Sequence, residues 1–344
     1  MIRVGCVGLG YWGPNILRAF LALKGCQVKW VCDTDQTKLS RIAATYPQLF
    51  PTENYEELLQ DSGLDAVAVA TPSPHHYPMA KAALEAGKHV FVEEPLAMQR
   101  DEGRHLIQLA NARGKILMVG HLLLYHPAVR KLKDFIQAGE LGQLYYIYST
   151  RVNLGQVKRE ENALLSFAPH DISVFLYLLD SHPVEVSAIG KDYLQQGVED
   201  VVFFTLRFPG GALAHCHVSW LDPHKVRKFT VVGSKKMAVF DDMESSEKIR
   251  IYDKGVEQHS HFTTFGEFLS LRFGDIYVPR LDMREPLALE CQHFLECIEK
   301  GSKPLTDGEN GLRVLEVLDA ANRSLKEQGR PIPVRVDSFS REDE

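Results

Sequence analysis

The sequence predicts an α/β domain built on a parallel sheet, followed by an α+β domain with an open, largely antiparallel sheet. Three observations carry that prediction. Over residues 1–120, short continuous apolar runs alternate with amphipathic stretches. After Gly120 the alternation gives way to a series of strands. The length of 344 residues exceeds one ordinary core and suits two domains. The expected divisions are 1–120, 121–336 and a polar tail, 337–344.

The expected strands of the first part are Ile2–Val7, Val28–Cys32, Ala66–Ala70, His89–Val92 and Ile116–Val119. Between them lie the helical patterns Asn15–Leu23, Lys38–Thr45, Tyr55–Gln60, Tyr77–Glu85 and Glu102–Ala112. Continuous apolar strands separated by helices imply a parallel sheet covered on both faces. Gly87 and Gly114 fit helix stops just ahead of the next strand. Beyond Gly120 come a helix at Pro127–Gln137, a strand at Leu144–Val152 and a helix at Pro169–Leu179. The strands Val184–Ile189, Val201–Phe208, Ala212–Trp220, Arg227–Val232, Met237–Phe240 and Lys248–Tyr252 follow. Helices at Leu287–Glu299 and Gly311–Gln328 close the chain, the first with apolar spacing at Leu287, Cys291, Phe294, Leu295 and Ile298.

Composition narrows the function. Hydrophobic residues at 45% and charged residues at 24% are the balance of a globular protein, not a disordered one. The net charge of -6 argues against a nucleic-acid binder, and basic runs such as Arg130-Lys131 and Ser234-Lys235-Lys236 are short. The six cysteines form no Cys-x-x-Cys pair, so no metal site or disulfide framework is expected. No apolar run reaches the length of a membrane span. A strand beginning at Ile2 leaves no room for a secretory signal, so a cytoplasmic location is the expectation.

Gly8-Leu9-Gly10-Tyr11-Trp12-Gly13 follows the first strand and opens a helix, with Pro14 suited to its first turn. The first glycine permits a tight turn, the second lets the backbone approach a pyrophosphate, and the third lets helix and strand pack closely. The helix N-terminus then faces the phosphates. Asp33 closes the second strand, where an acid some 20 residues on accepts the ribose hydroxyls and repels a 2′-phosphate. This is the pattern of a Rossmann domain binding NAD in preference to NADP.

The chain resembles the Gfo/Idh/MocA oxidoreductases, in particular those acting on sugars or nucleotide sugars. The resemblance rests on Gly10-Tyr11-Trp12-Gly13-Pro14-Asn15, on Ala70-Thr71-Pro72 with His76 and Ala80, and on Glu93-Glu94-Pro95-Leu96-Ala97. Gly120-His121 with Tyr125-His126-Pro127, Pro169-His170-Asp171-Ile172-Ser173 and Leu305-Thr306-Asp307-Gly308 complete it. It implies that Thr71, Pro72, His76 and Glu93 lie along the nicotinamide half of the cofactor. Thr71-Pro72 also ends a strand at the carboxyl edge, where open α/β sheets bind ligands. His121, Tyr125, Arg151, Asn153 and Arg159 fall in segments that border the substrate cleft of relatives. The resemblance also implies a homodimer or homotetramer, through the open sheet of the second domain.

Two positions depart from the family pattern. The usual Glu-Lys-Pro, whose lysine meets the reacting hydroxyl or carbonyl, is Glu93-Glu94-Pro95 here. An aspartate common four residues before the histidine is Ser166. Of the usual catalytic trio His170 remains, and a histidine can take or give the proton that accompanies hydride transfer. Glu94 can act as a base, or as a proton donor where burial raises its pKa. The expectation is therefore an NAD-dependent oxidoreductase of a sugar or nucleotide sugar, with His170 and Glu94 as the catalytic residues. The alternative is an NAD-binding scaffold or regulator with reduced catalysis. His215 and His217 share one strand face without a third ligand in view, and Tyr145, Tyr146 and Tyr148 fit sheet packing.

Overall fold

The structure, a computed structural model, describes residues 1–159, 161–258 and 269–335. It divides into two units: Met1–Tyr125 with Arg284–Leu315, and His126–Met283 with the chain from Glu316 onward. The expected polar tail, 337–344, lies outside the described residues.

The first unit alternates β1 (Ile2–Val7), α1 (Gly13–Ala22), β2 (Cys26–Cys32), α2 (Gln36–Thr45), β3 (Phe50–Thr52) and α3 (Tyr55–Gln60). It continues through β4 (Ala66–Val69), α4 (His76–Glu85), β5 (His89–Glu93), α5 (Arg100–Ala112) and β6 (Leu117–Gly120). The six strands pair in parallel in the order β3-β2-β1-β4-β5-β6. Strand order reverses between β1 and β4, which opens a crevice at their carboxyl ends. Every residue of β4 and β6 is buried, so these strands read as unbroken apolar runs. β3 escaped the sequence reading because its three residues carry no periodicity and include Pro51, which an edge position tolerates.

The second unit begins with α6 (Pro127–Gln137), β7 (Leu144–Val152) and α7 (Ala163–Leu179). β8 (Glu185–Lys191), β9 (Val201–Arg207), β10 (Leu213–Ser219), β11 (Val226–Gly233) and β12 (Met237–Asp241) follow. β13 (Ile249–Gln258) and β14 (Leu269–Tyr277) extend the sheet. Its nine strands run β14-β13-β12-β11-β7-β10-β9-β8-β15, with β15 at Ile332–Pro333. All neighbours are antiparallel except β7 and β10. α7 starts at Ala163, not at Pro169 as the sequence suggested, because the Asn162 side chain caps it by accepting from Leu165 N at 3.0 Å. Pro169 sits inside the helix at the cost of one backbone bond. β14 was unforeseen, since Ser270, Arg272 and Asp275 dilute its apolar residues.

The chain closes with α8 (Pro286–Lys300) and α9 (Gly308–Lys326). Sequence reading assigned both to the second domain, but α8 and the start of α9 belong to the first unit. The reason is aromatic packing that no local pattern announces. Phe294 of α8 meets Phe20 of α1 and Phe91 of β5 edge-on, at centroid distances of 6.3 and 5.9 Å, and all three rings are buried. Phe294→Ala is therefore expected to lower the unfolding free energy of the first unit by about 3–5 kcal/mol in denaturant titrations. A loss below about 1 kcal/mol would contradict the docking of α8 by this ring.

Candidate active site

The loop from β1 to α1 is shaped by its glycines. Gly8 has φ +91°, and a Cβ there would lie 2.5 Å from the Ala70 carbonyl oxygen. A Cβ on Gly13 would come within 1.9 Å of the Gly8 carbonyl oxygen, so helix and strand can approach only without one. Around Gly10 nothing lies within 4 Å of that position, which leaves the backbone open to a ligand. In the first turn of α1 Pro14 has no N–H and Asn15 N donates to Trp12 O at 2.9 Å, so it is the positive end of the helix dipole beside the glycine loop that favours an anion. Tyr11 on this loop is 93% exposed.

Asp33 stands beside the loop at the end of β2. Its carboxylate accepts from Leu9 N at 2.6 Å and from Asp35 N at 2.9 Å. Lys38 Nζ lies 3.4 Å from Asp33 Oδ1, the oxygen that also accepts from Asp35 N. Trp12 donates its indole N–H to Glu93 Oε1 at 3.0 Å, which ties the glycine loop to the end of β5. Thr71 Oγ1 is buried with no hydrogen-bond partner among the described residues, so a polar ligand group would satisfy it. An open Gly10, an acid at the end of β2 and this orphaned hydroxyl fit an NAD dinucleotide.

His76 is buried and bridges two loops, with Nδ1 2.7 Å from Pro95 O and Nε2 2.8 Å from Thr71 O. A neutral ring can donate to only one of these carbonyls. His76 thus joins the Thr71-Pro72 segment to Glu94-Pro95, a peptide bond in the cis form. Glu93 pairs in register with Gly120 of β6, where a Cβ would lie 2.9 Å from Glu93 Oε2. Glycine there gives the Glu93 carboxyl its room, and burial pushes that group up to about 8.

His121 and Tyr125, expected to border substrate, are interior residues of the first unit. Both are buried, and neither His121 ring nitrogen has a partner among the described residues. Burial depresses His121 to about 3, so the ring is neutral at physiological pH. Tyr125 places its hydroxyl 3.1 Å from Thr306 Oγ1 and its ring 5.5 Å from His293. The turn Leu122–Tyr125 packs inward against α8 because it carries Leu123 and Leu124.

In the second unit, Arg151 of β7 is buried and its guanidinium is paired with Asp171 of α7. Burial nevertheless pushes the Asp171 carboxyl up, against the pull of Arg151. His170 precedes Asp171 and is half-buried, and its carbonyl accepts from Ser173 Oγ at 2.9 Å. Asn153 follows β7, and Arg159 is exposed. Arg151 and Asp171 thus meet where α7 lies over the sheet, and His170 precedes Asp171 on that helix. Thr205 Oγ1 is 3.0 Å from His215 Nδ1, and His217 stacks on Phe203 with centroids 4.3 Å apart. Glu290 on α8 completes the carboxyl groups around the end of β5. Its one sequence signal is a charge at i+3 on the apolar stripe that begins at Leu287.

Residues 2–121 match the oxidoreductase family with an NAD-binding Rossmann fold, GFO_IDH_MocA, and residues 129–239 match the GFO/IDH/MocA C-terminal domain. The chain belongs to this family, and its first unit carries the family's NAD-binding domain. It is 27% identical to scyllo-inositol 2-dehydrogenase (NAD(+)) of Bacillus subtilis, with 97% of each chain covered. It is 25% identical to UDP-N-acetylglucosamine 3-dehydrogenase of Acidithiobacillus ferrooxidans, over 91% of this chain and 94% of the relative. The structure of aldose-aldose oxidoreductase from Caulobacter crescentus shares the fold, with TM-score 0.82 and 22% identity, over 96% of this chain and 99% of that one.

With Lys38 beside it, Asp33 is the residue expected to separate the two nicotinamide cofactors. Asp33→Ala should narrow the ratio of NAD to NADP affinity by about tenfold or more, as one charge-assisted hydrogen bond is worth. Equal narrowing in Lys38→Ala, read by calorimetric titration of both cofactors, would assign the discrimination elsewhere.

Proposed function

We propose that the protein is an NAD-dependent oxidoreductase that moves hydride between the nicotinamide and a hydroxyl or ketone of a sugar or nucleotide sugar. The observation that carries this reading is the intact dinucleotide site at Gly8, Gly10, Gly13 and Asp33 in a chain matched to the family across both domains. Relatives named for an inositol and for a UDP-sugar supply the substrate class. NAD, when bound, supplies the hydride acceptor or donor.

His170 takes the hydroxyl proton during oxidation and returns it during reduction. The Arg151–Asp171 pair holds the segment of α7 that carries it against β7. Thr71, Pro72 and His76 shape the nicotinamide end, and Glu93 is anchored there by Trp12. Glu94 stands where relatives place a lysine, as a proton-carrying group in place of a fixed cation. Asn153 and Arg159 offer polar contacts to substrate, while Arg151 is held in its pair with Asp171 and His121 and Tyr125 are buried.

The outward face of the second sheet supports assembly into a homodimer or homotetramer. Tyr146, Tyr148, Phe203, Leu213 and Ile189 all expose a large apolar side chain there, and the two tyrosines stack. Among the described residues no helix is long and apolar enough to cross a membrane, and a cytoplasmic location accords with the nicotinamide chemistry. Glu94 and Ser166 favour a second reading, an NAD-binding member with reduced catalysis.

Purified protein with NAD and a panel of sugars and nucleotide sugars, followed by absorbance of the reduced nicotinamide, decides between them. Turnover in wild type, lost by about 10²–10⁴-fold in His170→Ala with NAD binding kept, supports the enzyme. Silence in wild type with turnover in Glu94→Lys supports the second reading.

A further inference from the structure

The crevice at the carboxyl ends of the parallel strands has two sides, divided where strand order reverses between β1 and β4. Asp33 closes β2 on one side, the place of the adenosine ribose when the pyrophosphate lies on the glycine loop. The other half of such a dinucleotide then lies over the ends of β4, β5 and β6. Those strands lead into Thr71-Pro72, Glu93 and Gly120. Val90, Phe91 and Val92 of β5 are buried, but Glu93 breaks that run and keeps part of its surface exposed.

Two neighbours orient this carboxyl. Trp12, on the glycine loop itself, donates its indole N–H to Oε1 at 3.0 Å. On β6 the residue in register is Gly120, where a Cβ would lie 2.9 Å from Oε2 and 3.1 Å from Oε1. The carboxyl is thereby fixed at the strand ends, one hydrogen bond from the loop that takes the pyrophosphate. An indole donates a single neutral N–H, so it orients a carboxylate without cancelling its charge.

The ionisable groups on the elements around Glu93 are mostly engaged elsewhere or held neutral by burial. β4 and β6 contain none. Arg18 of α1 is engaged with Glu285, and His76 of α4 with the carbonyl groups of Thr71 and Pro95. Burial keeps His121, after β6, neutral at physiological pH, and pushes up Cys6 of β1 with Glu290 and Cys291 of α8. His293 of α8 accepts from Leu305 N at 3.0 Å, and the Tyr125 hydroxyl meets Thr306. Asp307, bridged to β6 at Met118, pairs with Lys303 at 2.7 Å. Glu94 follows on the chain, a second carboxyl whose share the variant Glu93→Gln separates.

We propose that the Glu93 carboxylate is the counter-ion of the oxidised nicotinamide ring, oriented by Trp12, and lets the domain distinguish NAD+ from NADH. The ring carries a positive charge in NAD+ and none in NADH, and the rest of the two molecules is the same. A nearby opposite charge favours the ionised carboxyl. Burial pushes the Glu93 carboxyl up to about 8 before the cofactor binds. Below that pH, NAD+ therefore binds with release of the Glu93 proton to solvent, and NADH binds without it. Trp12 is a positioning residue, because its N–H favours the ionised form and it acts through Glu93. The proposal rests on reading this edge as the nicotinamide end of the NAD site, and its measurements need no sugar turnover.

Calorimetric titration with NAD+ and with NADH, each in two buffers of different ionisation enthalpy, counts the protons released on binding. Near about pH 7 wild type should release most of one proton with NAD+ and much less with NADH. Its NAD+ affinity should rise with pH and level off above about pH 8, while NADH affinity changes less. At about pH 9 Glu93→Gln should lower the ratio of NAD+ to NADH affinity by about tenfold or more, the worth of one pKa unit. Trp12→Phe keeps an aromatic ring and loses the N–H, so its NAD+ affinity should level off at higher pH. An unmoved profile there overturns the role of Trp12. Equal proton counts for the two cofactors in wild type, which need no variant, overturn the counter-ion, as does an unchanged affinity ratio in Glu93→Gln. Failure of both cofactors to bind overturns it together with the NAD site. The expected proton difference without turnover of any sugar supports it, while the functional reading fails on its own.

Discussion

A carboxyl group taken out of water must find a cation or keep its proton, because its hydration cannot be replaced by apolar neighbours. Both solutions occur in this chain. In the second unit the buried Asp171 is matched by the equally buried Arg151, which joins α7 to β7. In the first unit Glu93 accepts from the Trp12 indole N–H, and burial raises its pKa.

The parallel sheet is what brings these groups to one edge. Buried on both faces, β4 and β6 allow no polar side chain along their length, so chemistry collects where the strands end. Gly8 and Gly13 let α1 begin close to β1, and Trp12 reaches from that loop to Glu93. His76 closes the next gap by joining the backbones at Thr71 and Pro95. The cofactor loop and the carboxyl-bearing edge are thereby parts of one hydrogen-bonded frame.

The parallel strands were legible because a strand buried on both faces must be apolar throughout, as in Ala66–Val69. The glycine loop was legible because a tight turn and a close helix start need glycines at set intervals, and Gly8 and Gly13 occupy them, with Asp33 bonded to Leu9 N beside it. β3 and β14 were not, since an edge strand is held by its neighbour's backbone and leaves little mark on its own side chains. The start of α7 was misplaced because Pro169 looks like a first-turn residue, whereas the cap is Asn162. Arg151 looked available to substrate because the sequence separates it from Asp171 by a loop and half a helix.

By itself the sequence determined the class of fold and the glycine loop after β1, because each depends on local geometry or on a residue type at a set spacing. Tertiary structure alone decided which side chains are spent. It returned α8 to the first unit through Phe294 and buried His121, Tyr125 and Glu290. The physical reason is that burial and partner choice are made by residues far apart in the chain, and a carboxyl group's charge follows from both.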